Sequence, residues 1–113
     1  MPTFVLLTKL GEAERKRPKL RAAKGKKWIQ TIHKRCPGVK FLCHYAMLGP
    51  YDFLDIYEAP DAETAAKVSL ISMAEGAAAA ESWTLIPYDR FLKLVKQLWH
   101  AGKERRMTQP YSR

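Results

Sequence analysis

The spacing of apolar positions along this chain alternates between two residues and about 3.6, and the switches mark its elements. Phe4 to Leu7 is a run of strand formers and predicts a strand over residues 2–9. Gly11 to Arg17 is polar and charged and reads as a loop. Pro18 suits the first turn of a helix, where its missing N–H costs little. Leu20, Ala23, Trp28, Ile29 and Ile32 then recur at helical spacing to about Arg35. Gly25 weakens the middle of that helix by about 1 kcal/mol relative to Ala. Cys36-Pro37-Gly38 ends it, because Pro cannot continue a helix and Gly suits the left-handed cap.

An apolar, aromatic-rich strand follows from Val39 to Leu48, and Gly49-Pro50 turns it into a second arm, Asp52 to Ala59. Pro60 stops that arm, and Asp61 is a good N-cap for the next helix. Ala62, Ala65, Ala66, Leu70, Met73 and Ala74 give this helix a face of mostly small residues, which allows close approach to a sheet. Gly76 ends it, and residues 79–87, with Trp83, Leu85 and Ile86, form another strand. Asp89 is expected to cap a last helix with Phe91, Leu92, Val95, Leu98 and Trp99 on one side. Arg90, Lys93, Lys96 and Gln97 lie on its other side, and Gly102 closes it. The order is β-α-β-β-α-β plus a terminal helix, an α+β ferredoxin-like split βαβ pattern with a four-stranded antiparallel sheet. The expected division is one domain over residues 1–100 and a basic, mobile tail over residues 101–113.

Charge adds a second pattern. Residues 1–40 carry +10, residues 41–89 carry −7 and residues 90–113 carry +6, for a net +9. Two basic ends around an acidic middle suit self-association as well as nucleic-acid binding. No apolar run approaches the roughly 20 residues of a membrane span, so no membrane association is expected. The N-terminus lacks a basic stretch followed by an apolar one, which makes the cytoplasm the expected location. Cys36 and Cys43 are too few for a disulfide framework and read as reduced thiols. With His33 and His44 they match no structural zinc spacing, so no metal is expected. No phosphate loop, nucleophile elbow or HExxH motif is present, and no cofactor is expected.

From Gly38 to Phe91 the chain resembles the GYD family, small bacterial and archaeal proteins with a ferredoxin-like fold. The matching residues are the Gly49-Pro50-Tyr51-Asp52 turn, the Glu58-Ala59-Pro60-Asp61 junction, Ala65-Ala66-Lys67, and Thr84-Leu85. The resemblance implies membership of the wider dimeric α/β-barrel group, in which two open sheets pack face to face. That group includes the ligand-binding domains of Lrp/AsnC regulators and cofactor-free enzymes such as muconolactone isomerase. The family implies no agreed activity and so carries over no catalytic residues. The basic first helix, with Trp28 and His33, and the segment from Trp99 onward depart from its pattern.

A sheet of this kind has helices on one face, and its other face reads as too apolar to stand bare. A homodimer or higher even oligomer is therefore expected. Gly comes first in the hairpin turn, which favours a two- or four-residue loop closed by Leu48/Tyr51 or Met47/Asp52. Both pair His44 with Asp55 and Leu42 with Tyr57, whereas a three-residue loop would pair Tyr45 with Asp55. In the favoured register His44, Asp55 and Tyr57, with Trp83 or Glu81, line a pocket between the sheet and its partner. Cys43, Tyr45, Leu54 and Ile56 then take the helix side.

Three functions follow from these residues. A small-molecule-binding dimeric module would hold its ligand on His44, Asp55, Tyr57 and Trp83. A cofactor-free enzyme would use His44 as general base, oriented by Asp55. The bland reading of that pair is two polar groups satisfied at an interface. Tyr51 and Asp52 read as turn residues, with Asp52 bonding nearby backbone N–H groups. A nucleic-acid-associated protein would use Arg17, Arg21, Lys24, Lys27 and Lys34, with Trp28 for stacking, although no RNP1 or helix-turn-helix signature accompanies them.

Overall fold

The computed structural model describes residues 1–99. Its elements are β1 (Thr3–Leu10), α1 (Glu12–Arg15), α2 (Arg21–Arg35), β2 (Lys40–Ala46), β3 (Phe53–Glu58), α3 (Ala62–Ala74), β4 (Ala77–Leu85) and α4 (Tyr88–Leu98). A single 3₁₀ turn, Pro18–Leu20, leads into α2. The strands form one antiparallel sheet in the order β2-β3-β1-β4. This is the expected ferredoxin-like α+β fold with an added C-terminal helix.

The connections explain why both long helices share a face. β1 and β2 are parallel and flank β3, and β3 and β4 are parallel and flank β1. Right-handed crossovers then carry α2 and α3 over the same side. Phe4 and Leu6 from β1 meet Ile32 of α2 and Val68 of α3 there, with Tyr57 and Ala59. Leu6, Ile32, Tyr57 and Val68 are fully buried. Burying an aliphatic side chain of this size contributes roughly 2 kcal/mol, so these positions anchor the core.

Local chemistry sets the element ends. Asp61 caps α3 as expected: its Oδ1 accepts from the Thr64 backbone N–H at 2.8 Å and from the Thr64 hydroxyl at 2.7 Å. Those bonds hold the Asp61 carboxyl below its ordinary range. Gly76 follows α3 with φ +114°, a conformation that favours glycine. A Cβ there would lie 2.7 Å from the Glu14 side chain, so the close approach also requires it.

Several boundaries differ from the sequence reading. The polar stretch read as a loop contains the short helix α1, whose Lys16–Glu12 pair sits one turn apart at 3.0 Å. β4 starts at Ala77, because the alanine run pairs with Leu10 and Lys9 of β1. Asp89 does not cap α4; Pro87 holds the N-cap position without a side-chain bond, and Asp89 lies in the first turn. Gly102 and the expected tail, residues 101–113, lie outside the described residues.

α4 stands apart from the body. Every one of its residues is exposed. Tyr88, Phe91, Leu92, Leu94, Val95 and Leu98 fall on one arc of the helix, continued by Trp99. Asp89, Arg90, Lys93, Lys96 and Gln97 fill the remainder.

Candidate functional site

The hairpin is closed by Met47 and Asp52, whose backbone bond measures 2.8 Å. This is one of the two expected closures, and it pairs His44 with Asp55. Further along β2 a bulge intervenes: Phe41 pairs with Tyr57 and Cys43 with Ile56, and Leu42 is the extra residue. The expected Leu42–Tyr57 pairing is therefore incorrect. The bulge has a useful result, since residues three apart on a regular strand point to opposite faces. Here Phe41 and His44 share a face.

That face is the helix side. The expectation that His44, Asp55 and Tyr57 look toward a partner sheet is overturned, because Asp55 and Tyr57 are buried beneath the helices. Cys43, Tyr45, Leu54 and Ile56 take the open face instead. Trp83 pairs with Val5, on the face opposite Leu6 and Asp55, so it is separated from the His44–Asp55 pair by the sheet. Both faces are apolar, and alternation alone does not say which one the helices cover. Tyr57 also leaves the proposed group, because it lies in the core with its hydroxyl sharing a 2.7 Å bond with Ser82.

The structure brings a different set together. A cavity of about 330 Å³ lies between α2 and the sheet, bounded by Thr8, Arg21, Gly25, Trp28, His44, Phe53, Asp55, Ser72 and Glu75 among others. Asp55 forms its floor at 1% exposure. His44, on the outer strand β2, has a side chain 55% exposed and a hydrogen bond from Nδ1 to Asp55 Oδ1. Burial pushes the Asp55 carboxyl above its ordinary range, and the His44 contact pulls against that shift. With the carboxylate ionised, Nδ1–H donates and the opposite nitrogen, Nε2, is left to meet a ligand.

Flat groups build the walls. The His44 ring stacks on Trp28 at 6.1 Å and on Phe53 at 6.3 Å between centroids. Trp28 is fixed by its indole N–H, which donates to Ser72 Oγ at 2.9 Å, and Ser72 in turn donates to the Val68 carbonyl. The Arg21 guanidinium sits 5.8 Å from the Phe53 ring centroid. Gly25 faces open space, with no atom within 4 Å of where a Cβ would stand. Among the described residues no group of three His, Cys, Asp or Glu side chains is placed to hold a metal.

Trp28, Phe53, Gly25 and Ser72 were not assigned to this site from the sequence. Gly25 carried a signal: a glycine inside a helix asks for a reason. Trp28 was expected on a basic stripe for stacking bases, but its ring turns inward to the cavity. That stripe is also partly neutralised, since Glu14 pairs with Arg21 at 3.6 Å and with Lys24 at 3.3 Å. Arg17 and Lys27 are exposed.

The turn residues do a separate job. Asp52 accepts from the Leu10 backbone N–H at 2.7 Å, across 42 positions of sequence, and its own N–H donates to the Thr8 carbonyl. It stabilises the turn by tying it to β1 rather than through neighbouring N–H groups. The Tyr51 hydroxyl donates to Glu81 Oε2 at 2.8 Å, and the Trp83 indole N–H donates to Glu81 Oε1 at 2.9 Å. The carboxylate beside it raises the pKa of Tyr51. The Gly49–Asp52 segment is thus a clasp joining the hairpin tip to β1 and β4.

Residues 4–95 match the GYD domain. A protein from Thermus thermophilus named "Glutamine synthetase and cystathionine beta-lyase binding protein" is 33% identical over 96 residues, covering 85% of this chain and all of the relative. No solved structure matches the chain.

Proposed function

The chain belongs to the GYD domain family, and from that premise we propose that it is a small-molecule-binding module working as a homodimer or higher even oligomer in the cytoplasm. The observation that carries this reading is the cavity under α2, with a buried carboxyl on its floor and aromatic walls. Ligand sites are concave, mostly apolar and equipped with a few placed polar groups. The dimer draws support from uncovered apolar surface on the open face, where Tyr45 is 62% and Trp83 52% exposed. Among the described residues no helix is long and apolar enough to cross a membrane.

The same pocket supports a cofactor-free enzyme as the alternative. Asp55 orients the His44 imidazole and leaves Nε2 positioned as a general base. Binding and turnover share one geometry, so the second needs a reaction assay. Nucleic-acid association is the weaker reading, because Trp28 is turned inward and Glu14 occupies two of the basic residues.

A protein-binding role is a second reading, favoured by α4. Its apolar stripe has no cover among the described residues, and the Thermus relative is named for binding two proteins. Here α4 and the open sheet face would be the docking surfaces.

Native mass spectrometry of protein purified from its own host tests the proposal. The expected spectrum is an even-numbered assembly retaining a small adduct. A monomer, or a species loaded with oligonucleotide, overturns it.

A further inference from the structure

The cavity beneath α2 has a definite chemistry, and its parts point to one class of ligand. Three rings, Trp28, His44 and Phe53, stand in a nearly parallel series, with interplanar angles of 21° and 11°. Such walls favour a flat molecule, because planar faces stack with little loss of rotamer freedom. At about 330 Å³ the space lies at the small end of ligand pockets. Gly25 extends it by omitting a side chain from the α2 wall.

The charges on the wall select further. Arg21 lies over Phe53, and its contact with Glu14 is a loose 3.6 Å through one terminal nitrogen. The planar guanidinium keeps further N–H donors for an oxyanion. Lys26 also lines the cavity and has no ion-pair partner among the described residues. Of the two acids present, Asp55 is engaged with His44. Glu75 stands on the wall without a salt bridge among the described residues, and a second negative charge on a ligand would be repelled by it.

We propose that this pocket binds a small planar organic monoanion, a single carboxylate on a flat apolar or aromatic body. The carboxylate takes N–H donors from Arg21, and the flat body lies against Trp28 and Phe53. His44, held by Asp55, adds a third ring face on the sheet side. This rests on the pocket reading proposed above, and the test separates the two.

The probes are benzoate, benzamide and benzylamine, matched in shape and different in charge. The readout is the Trp28 indole N–H resonance in the isotope-labelled wild-type chain. Trp83, across the sheet, is the internal control. Benzoate is expected to shift Trp28 saturably and leave Trp83 in place, with affinity at least about tenfold above benzamide, the scale of one charge-assisted bond. Benzylamine is expected not to bind. Arg21→Gln should bring benzoate down to the level of benzamide. If benzamide binds Trp28 as well as benzoate does, the anion assignment fails and the pocket stands. If no probe moves Trp28 at millimolar concentration, the pocket reading falls with it. A shift at Trp83 alone would move binding to the open face and overturn the proposal.

Discussion

Asp55 shows how one residue couples the fold to its candidate chemistry. It is a carboxyl at 1% exposure, and burial raises its pKa above the ordinary 3.8. A group with a raised folded-state pKa contributes stability that is present below the unfolded value and lost as pH rises through the folded value. The His44 contact limits that loss by favouring the ionised form. Urea unfolding at pH 4 and pH 7 is expected to show Asp55→Asn gaining on wild type as pH rises. His44→Gln is expected to fall more steeply than wild type over the same interval. Parallel pH profiles for all three would mean that the carboxyl is not held as described.

Elements carry compromises that single residues do not reveal. α2 places Gly25 mid-helix, a position where Ala is favoured by about 1 kcal/mol. The structure offers no steric reason against a methyl group there, only the cavity it would enter. Gly25→Ala is therefore expected to raise the melting temperature by about 5 °C, by scanning calorimetry. The same change should weaken any pocket ligand, so stability and binding should move in opposite directions. β2 makes a comparable concession at Leu42, where the bulge interrupts the ladder and brings Phe41 and His44 to one face.

At the scale of the whole molecule, the unresolved demand is cover for apolar surface. α4 has 11 residues, and an isolated helix of fewer than about 12–15 residues is marginal in water. Its stripe has no cover among the described residues, and Tyr45 and Trp83 stand exposed on the open face of the sheet. Phe91→Glu combined with Leu98→Glu places charge in the middle of that stripe. The expected result is a smaller assembly by light scattering at equal concentration, with the unfolding transition of the body preserved. An unchanged mass would remove α4 from the assembly interface.

The element order, the N-cap at Asp61 and the pairing of His44 with Asp55 were legible in the sequence, because each rests on local chemistry: a period, a capping side chain, a turn. The family clasp was legible as a motif, although its bonds to Leu10 and Glu81 cross the sheet and leave no local trace. Which face the helices cover was not legible, since Leu54, Ile56 and Tyr45 are as apolar as the residues opposite. Crossover handedness and packing volume decided that question, and with it the placement of Tyr57 in the core and Trp83 behind the sheet. The bulge at Leu42 has no signature in composition, and Trp28 reads equally as a surface or a pocket residue until Ser72 is placed beside it. Alternation and capping act between neighbours in sequence, so the chain by itself determined its elements. The site joins Arg21, His44, Asp55 and Ser72 from four different elements, and only tertiary packing sets their distances.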